Sequence, residues 1–544
     1  MRRSSAWLGL VALLAVPALM GVAARPLYAQ QDPPEQAQRD RGRDDRHEKA
    51  RPAALLPPPS RTEHALELDG RTLRFTATAG AIPIPNSAGR TLAEIAYVAY
   101  TLDGADPRRR PVTFAFNGGP GAASAWLHIG AIGPWRLPLA AASAAPAAPP
   151  ALVPNAETWL DFTDLVFIDP VGSGLSHILG ESEEAGGRSA KRGSRRSAPE
   201  PASREEGGPR YFWSIDGDVE SLADFIQEWL KRTDRLASPK MLVGESYGGF
   251  RAPKIVHLLQ RQRGIAVNAM VLVSPVLDFE GRRVARHSPT SYVSLLPSLA
   301  AAALERQGKV PTRELLSEVE AYARSDYLVD LLRGPRDQAA VDRIVAKVAE
   351  FTRLPEEAVR RHGGRLSSRA YVQEAVRPKQ RVASFYDVTV TGLDPDPGSA
   401  SARFDDPFTT ALAAPMTGAM LELLNTRLQW RTGRTYHLLS RRANRAWIWG
   451  NSPNPPEAVS ALKEVLSLDA RFQVLVTHGF TDLVTPYTAS AILLDQLPAY
   501  GDPPRVSSEV YPGGHMFYSR DGSRAAFRRD AEKLLARSLQ PQGT

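Results

Sequence analysis

At 544 residues, 43% hydrophobic and 23% charged, the chain has material for one large domain with insertions or for two to three average ones. It contains no cysteine, which excludes disulfide staples, a thiol nucleophile, a thiolate zinc site and a haem attached through cysteine. The formal charge of +8 does not point to nucleic acid, because arginines concentrate in acid-mixed runs such as residues 39–46, without a recognition helix or an aromatic RNA motif.

Arg2 and Arg3 precede an apolar, uncharged run over residues 7–24, and Leu27-Tyr28-Ala29 offers a cleavage site before Gln30. That is the pattern of an export signal over 1–29, so the protein is expected in the periplasm or secreted. Residues 30–60 are polar, charged and proline-bearing, and read as a disordered leader. Alternating segments at 64–68, 73–76 and 95–100 suggest an antiparallel meander at one sheet edge. Apolar runs at 112–116, 165–168, 241–243, 270–273, 472–476 and 506–511 read as further strands. Helical spacing at 219–231, 250–259 and 525–539 lies among and after them. The alternation predicts a mostly parallel central sheet with helices on both faces.

Two low-complexity stretches, 140–150 and 180–210, are expected as mobile surface loops, the second disordered. Residues 280–442, with helical spacing at 312–327 and 339–351, read as a helical insertion placed to cap the sheet. The core is then split into 61–279 and 443–544. No segment after the first run is apolar enough to span a membrane.

The apolar run 241–243 leads into Gly244-Glu245-Ser246-Tyr247-Gly248 and then into helical spacing. A serine so placed sits on a sharp strand-to-helix turn with its hydroxyl clear of the backbone, and the flanking glycines leave room for that turn. This is the nucleophile elbow of an α/β-hydrolase. Such a serine needs a base, an acid to orient the base, and amide donors for the oxyanion. In this fold the acid and then the histidine follow the serine along the chain, on loops after later strands. Asp482 is the first acid past the 472–476 strand, and His515 the first histidine past the 506–511 strand. Asp482 could instead cap a helix starting near Pro486; His478 is expected to cap its loop and His257 to lie on a helix face. Amide donors are offered by 113–121, an apolar strand ending in Asn117-Gly118-Gly119-Pro120-Gly121. The run lacks the Gly-Lys-Ser/Thr ending of a phosphate loop and the spacing of a dinucleotide site, so an oxyanion hole fits it better.

Residues 117–121, 168–176, 244–248 and Gly514-His515-Met516, in that order, resemble the serine carboxypeptidase family of α/β-hydrolases in its bacterial-type form. The resemblance spans roughly residues 90–540 with a poorly matching middle. It implies Ser246 as nucleophile, His515 as base and Asp482 as orienting acid. It also implies an oxyanion hole from the N–H groups of Gly119 and Tyr247, and substrate contacts from Asn117, Gly118 and Glu245. Asn117 and Glu245 would meet the terminal carboxylate of a peptide or protein C-terminus. No metal or organic cofactor, no nucleic acid and no stable membrane insertion after signal removal is implied.

A glutamate beside an incoming carboxylate shares a hydrogen bond with it only if one of the two holds a proton, so the expected activity leans acid. His515 must nonetheless be neutral to take the serine proton. Three features depart from the family pattern, one being Asp169-Pro170-Val171-Gly172, which lacks a residue usual between the acid and the proline. Ala131 stands where members commonly carry a second glutamate ahead of a Gly-Pro pair, and cysteine is absent where many relatives are disulfide-bonded. The same triad would serve an esterase, an acyltransferase or another peptidase, and a fold without catalysis would be a binding protein.

Overall fold

Alternation in the first segments builds one edge of the sheet. In the computed structural model, which describes residues 55–144, 146–181, 200–280, 288–399, 404–452 and 454–540, three long antiparallel strands form there. They are β1 (Ser60–Leu68), β2 (Arg71–Pro85) and β3 (Thr91–Leu102). Successive side chains of a strand point to opposite faces. On β3, Ala96, Val98 and Tyr100 accordingly join one apolar layer, and Ala93, Ile95 and Ala99 the other.

The remaining strands are β4 (Val112–Phe116), β5 (Asp164–Ile168), β6 (His177–Ile178), β7 (Lys240–Glu245), β8 (Ala269–Val273), β9 (Gln473–Gly479) and β10 (Val506–Tyr511). The ten-stranded sheet runs β1-β2-β3-β5-β4-β7-β8-β9-β10, with β6 paired to β3. From β5 to β10 all pairs are parallel. Every residue of β4, β5, β7 and β8 is buried, as a sheet covered on both faces requires. In register, Phe116 lies opposite Gly244, and Glu245 and Thr477 both lie opposite Val273. The carboxyl ends of four strands therefore open along one edge, where parallel sheets place their ligand sites.

Helix α1 (Ile215–Arg232) is started by Ser214, whose side chain accepts from Gly217 N–H, and buries Leu222, Phe225, Ile226 and Trp229. The Trp229 ring meets Phe114 edge-on at 5.4 Å; removing such a side chain from a packed face costs about 3–5 kcal/mol. With α2 (Tyr247–Gln262), α1 covers one face. Between β8 and β9, α3 (Pro289–Arg306), α4 (Arg313–Tyr322) and α5 (Gln338–Thr352) gather a separate apolar cluster from Leu296, Leu299, Val319 and Val348. Farther along, α6 (Pro407–Glu422) packs on the opposite face of the sheet through Phe408, Leu412 and Met416. Helix α7 (Val459–Leu468) joins α1 and α2, and α8 (Tyr487–Leu494) lies against α3. The last, α9 (Asp521–Leu539), closes the second face with Phe527, Leu534 and Leu535.

Several expectations change. The 280–442 segment is not one body: residues 293–388 form their own core, whereas 408–438 belongs to the layer over the sheet. An apolar spacing cannot say which partner it will cover, and here the two halves cover different ones. The alanine-rich stretch expected as a loop begins as a helix, Leu139–Ala144, consistent with the high helix propensity of alanine. Order begins inside the expected leader: Leu56 is buried, donates its N–H to Glu94, and Ser60 opens β1. Residues 200–212 are likewise held, with Arg204 donating to the Pro85 carbonyl and a short helix at Pro209–Phe212. The expected export signal, the leader up to residue 54 and residues 182–199 lie outside the described residues. Among the described residues no helix is long and apolar enough to cross a membrane.

Candidate active site

β7 ends at Glu245 and α2 begins at Tyr247, leaving Ser246 alone to make the turn, at φ 59° and ψ −118°. A positive φ is strained for a residue with a Cβ and is held only where surrounding contacts fix it. The contacts are present: Ser246 N–H donates to the Val273 carbonyl at 2.8 Å, and its own carbonyl accepts from Gly249 at 2.9 Å and Val276 at 3.2 Å. A Cβ on Gly244 would stand 2.2 Å from the Gly248 carbonyl oxygen, so only glycine permits the bend. Within 241–250, Ser246 is the single residue that is not buried. The turn thus leaves the serine partly exposed and buries the residues beside it.

Asp482 and His515 meet on the same edge. Asp482 Oδ2 accepts from His515 Nδ1 at 2.8 Å, and both side chains are almost wholly buried. Asp482 Oδ1 takes the N–H groups of Val484 and Thr485 at 2.8 Å each, and the Thr485 hydroxyl lies 2.7 Å from Oδ2. Burial pushes the Asp482 pKa up, but the charge and hydrogen bond of His515, then His478 and the Thr485 N–H, outweigh it and hold the group below the usual carboxylate value. The acid is therefore an anion aimed at Nδ1, which sets the tautomer in which Nε2 is the acceptor nitrogen. One peptide links this pair to the elbow. The Val273 carbonyl takes the Ser246 N–H, and the Ser274 hydroxyl donates to the His515 carbonyl at 2.8 Å.

Across the elbow, Gly118 packs so closely that a Cβ there would lie 2.4 Å from Tyr247 N and 2.7 Å from the Glu245 carbonyl oxygen. Gly119 follows in the left-handed region at φ 100°. Asn117 is buried; its Oδ1 accepts from Leu127 N–H at 3.0 Å, and its side chain also bonds Glu245. The loop is fixed from behind by Arg251, which donates to the Asn117 carbonyl at 2.9 Å, pairs with Asp218 at 2.8 Å and lies over the Tyr247 ring at 4.8 Å. Burial raises the Asp218 pKa to about 6 against the pull of Arg251. Glu245 also accepts from the Tyr518 hydroxyl at 2.7 Å. Burial raises its pKa to about 7, with His515, Tyr518 and Asn117 drawing it down and Asp482 pushing it up. A carboxyl that burial pushes toward its acid form thus lies beside the partly exposed serine.

The helical insertion reaches into this edge. The Phe385 carbonyl accepts from Leu483 N–H at 3.2 Å and the Tyr386 carbonyl from His515 N–H at 2.7 Å, so one short segment grips both loops. Arg520 is clasped by Glu305 of α3 at 2.5 and 2.9 Å. Between insertion and core lies a cleft of about 780 Å³ lined by Val276, Leu277, Leu295, Leu483, Ile492 and Leu493, with Arg365 and His362 from the insertion. Val276 and Thr485, both in its wall, touch Ser246 and Asp482 respectively.

Comparison with known proteins fits this arrangement. Residues 70–295 match the family described as serine carboxypeptidase. A prohormone-processing carboxypeptidase from Saccharomyces cerevisiae superposes with a TM-score of 0.51 at 13% identity, covering 85% of this chain and 91% of that one. The chain has the α/β-hydrolase fold. Serine carboxypeptidase-like 9 of Arabidopsis thaliana is 25% identical to this chain over 183 residues, 32% of this chain and 35% of that protein. The alignment thus spans about a third of that relative's length.

Of the residues singled out in the sequence, the fold brings Asp482 to His515, Asn117 to Glu245, and Gly118 to Tyr247. Ala131 is fully buried and supplies no acid. His478 lies close enough to act on the charge of Asp482 but is bonded elsewhere: it is buried in β9, its Nε2 bonds the Ser490 hydroxyl at 2.8 Å, and burial lowers its pKa to about 4. His257 faces Glu464 from the side of α2 at 2.6 Å. Sequence reasoning missed Arg251, Thr485 and Tyr518. Arg251 carried a signal, since it lies one helical turn after Tyr247 on the same face.

Proposed function

We propose that the chain is a serine carboxypeptidase of the bacterial type, removing residues from the free C-termini of peptides and proteins. The observation that carries this reading is the buried Asp482–His515 contact on the edge that leaves Ser246 partly exposed, with the buried carboxyl of Glu245 next to the serine. In this reading Ser246 Oγ attacks the scissile carbonyl carbon while His515 Nε2 takes the hydroxyl proton. Asp482 holds Nδ1–H and balances the imidazolium. The N–H groups of Gly119 and Tyr247 receive the oxyanion. The C–N bond then breaks as His515 returns the proton to the leaving amine, and water, activated by the same histidine, opens the acyl-enzyme.

Glu245 and Asn117 would hold the terminal carboxylate, on the β4 side of the serine. The cleft lies on the opposite, β8–β9 side, and its leucine-rich wall suits an apolar residue on the acyl side of the scissile bond. Residues 1–29 would direct export to the periplasm or beyond, which N-terminal sequencing of the mature protein tests. A second reading, an esterase, acyltransferase or other peptidase with the same triad, is favoured by the buried Ala131, which brings no carboxyl to join Glu245. Mass spectrometry of a peptide with a free or an amidated C-terminus separates the two. Stepwise terminal losses from the free peptide alone support the carboxypeptidase; equal turnover of both, or internal fragments, overturns it.

A further inference from the structure

Tyr518 is one of the largest fully buried side chains of the described residues, and nothing in the triad chemistry requires it. It lies three residues after His515 and its ring packs on the turn at Gly130, where a Cβ would stand 3.5 Å from Tyr518 Cε2. Gly130 immediately precedes Ala131, itself fully buried and without a polar group to offer. From this position the phenol donates to Glu245 Oε2 at 2.7 Å. The carbonyl of Tyr518 is in turn held by Arg524, buried at 3% side-chain exposure, at 3.2 Å. The donor is therefore fixed at its backbone as well as at its ring.

A buried carboxyl with two terminal torsions is oriented only as well as its hydrogen-bond partners orient it. Among the described residues Glu245 has such partners in the Asn117 side chain and Tyr518. With Oε2 engaged by the phenol, the proton of an acid-form Glu245 belongs on Oε1, leaving an O–H to donate to an incoming anion. We propose that Tyr518 is a specificity-determining positioning residue, which fixes the Glu245 carboxyl so that it donates to the free carboxylate of a substrate. This rests on the reading of Glu245 given above and extends it to a side chain on the loop of the base. Because His515 and Tyr518 share one turn of chain, the same segment sets the base and the carboxylate site.

The test uses binding rather than turnover, so that it does not depend on the triad. An N-acetylated dipeptide acid and its amide are titrated by calorimetry at pH 5.5 into full-length Ser246→Ala and into Ser246→Ala/Tyr518→Phe. The proposal expects the acid to lose about tenfold in affinity with phenylalanine at 518, the size of one hydrogen bond to a charged group, and the amide to change less than twofold. Ser246→Ala/Glu245→Gln provides a variant of unchanged shape and should keep a preference for the acid through its amide N–H. Equal losses for acid and amide, or no loss for the acid, overturn the role of Tyr518 while Ser246→Ala still prefers the acid. A parent Ser246→Ala that binds acid and amide alike overturns the Glu245 reading, and this inference with it.

Discussion

Replacing Glu245 by glutamine keeps the shape of a fully buried side chain and removes its titration, and the structure sets the size of the effect. Burial lifts the Glu245 pKa from 4.5 to about 7, a shift worth about 3 kcal/mol. The folded state therefore binds the Glu245 proton more tightly than the unfolded chain. The stability it contributes is complete below pH 4.5 and is lost as pH rises through about 7. Against Glu245→Gln, the wild type should lose roughly 3 kcal/mol of denaturant-measured stability between about pH 4 and pH 8, an upper figure because the site can relax. Function should follow the same titration. The acid form falls from about nine-tenths at pH 6 to about one-tenth at pH 8. Accordingly kcat/KM for a free-carboxylate peptide should drop about tenfold across that range in the wild type and stay level in Glu245→Gln, whose amide always donates. Peptide amides or esters should not show the drop in either protein. If Glu245→Gln retains the wild-type fall, or both proteins lose stability in parallel, the buried carboxyl is not the titrating group and the reasoning fails.

Other substitutions test neighbouring parts of the site. Gly118→Ala would place a Cβ 2.4 Å from Tyr247 N, so kcat should fall about 10²–10³-fold, as for loss of one oxyanion donor; an unchanged kcat would remove this loop from the chemistry. Asp482→Asn should cost about 10⁴ in kcat while circular dichroism stays native, because the amide selects the wrong imidazole tautomer. Leu295→Trp fills the apolar cleft; substrates with a bulky apolar residue before the scissile bond should lose about tenfold or more in kcat/KM, those with glycine there little. Equal losses on both would place the acyl side elsewhere.

Local signals carried much of this fold because the elements that hold the site are short and strongly patterned. The apolar run before Ser246 reads as a buried strand and the glycines around it as room for a bend, and a Cβ on Gly244 would stand 2.2 Å from the Gly248 carbonyl oxygen. Asp482 and His515 were found by position, as the first acid and first histidine past strand ends, and β9 and β10 do deliver them to one edge. The Phe385 and Tyr386 carbonyls left no trace, since they act on Leu483 and His515, far along the chain, and Thr485 bonds His515, 30 residues on, as well as nearby Asp482. The 280–442 stretch was misjudged as one cap for the same reason. Helical spacing shows that a face will be covered, not whether α3 or the sheet covers it. Tyr518 escaped notice because a tyrosine after a catalytic loop reads as core, and only the 2.7 Å approach to Glu245 separates it from core.

The central claim is that Ser246 is a nucleophile made reactive by the His515–Asp482 pair, and its most direct test is covalent labelling by a fluorophosphonate, read by mass spectrometry of the digested protein. The wild type should carry one adduct, on the peptide containing Ser246. Ser246→Ala should carry none, and His515→Ala should label far more slowly. An adduct that persists in Ser246→Ala, or a labelling rate indifferent to His515, would contradict the account.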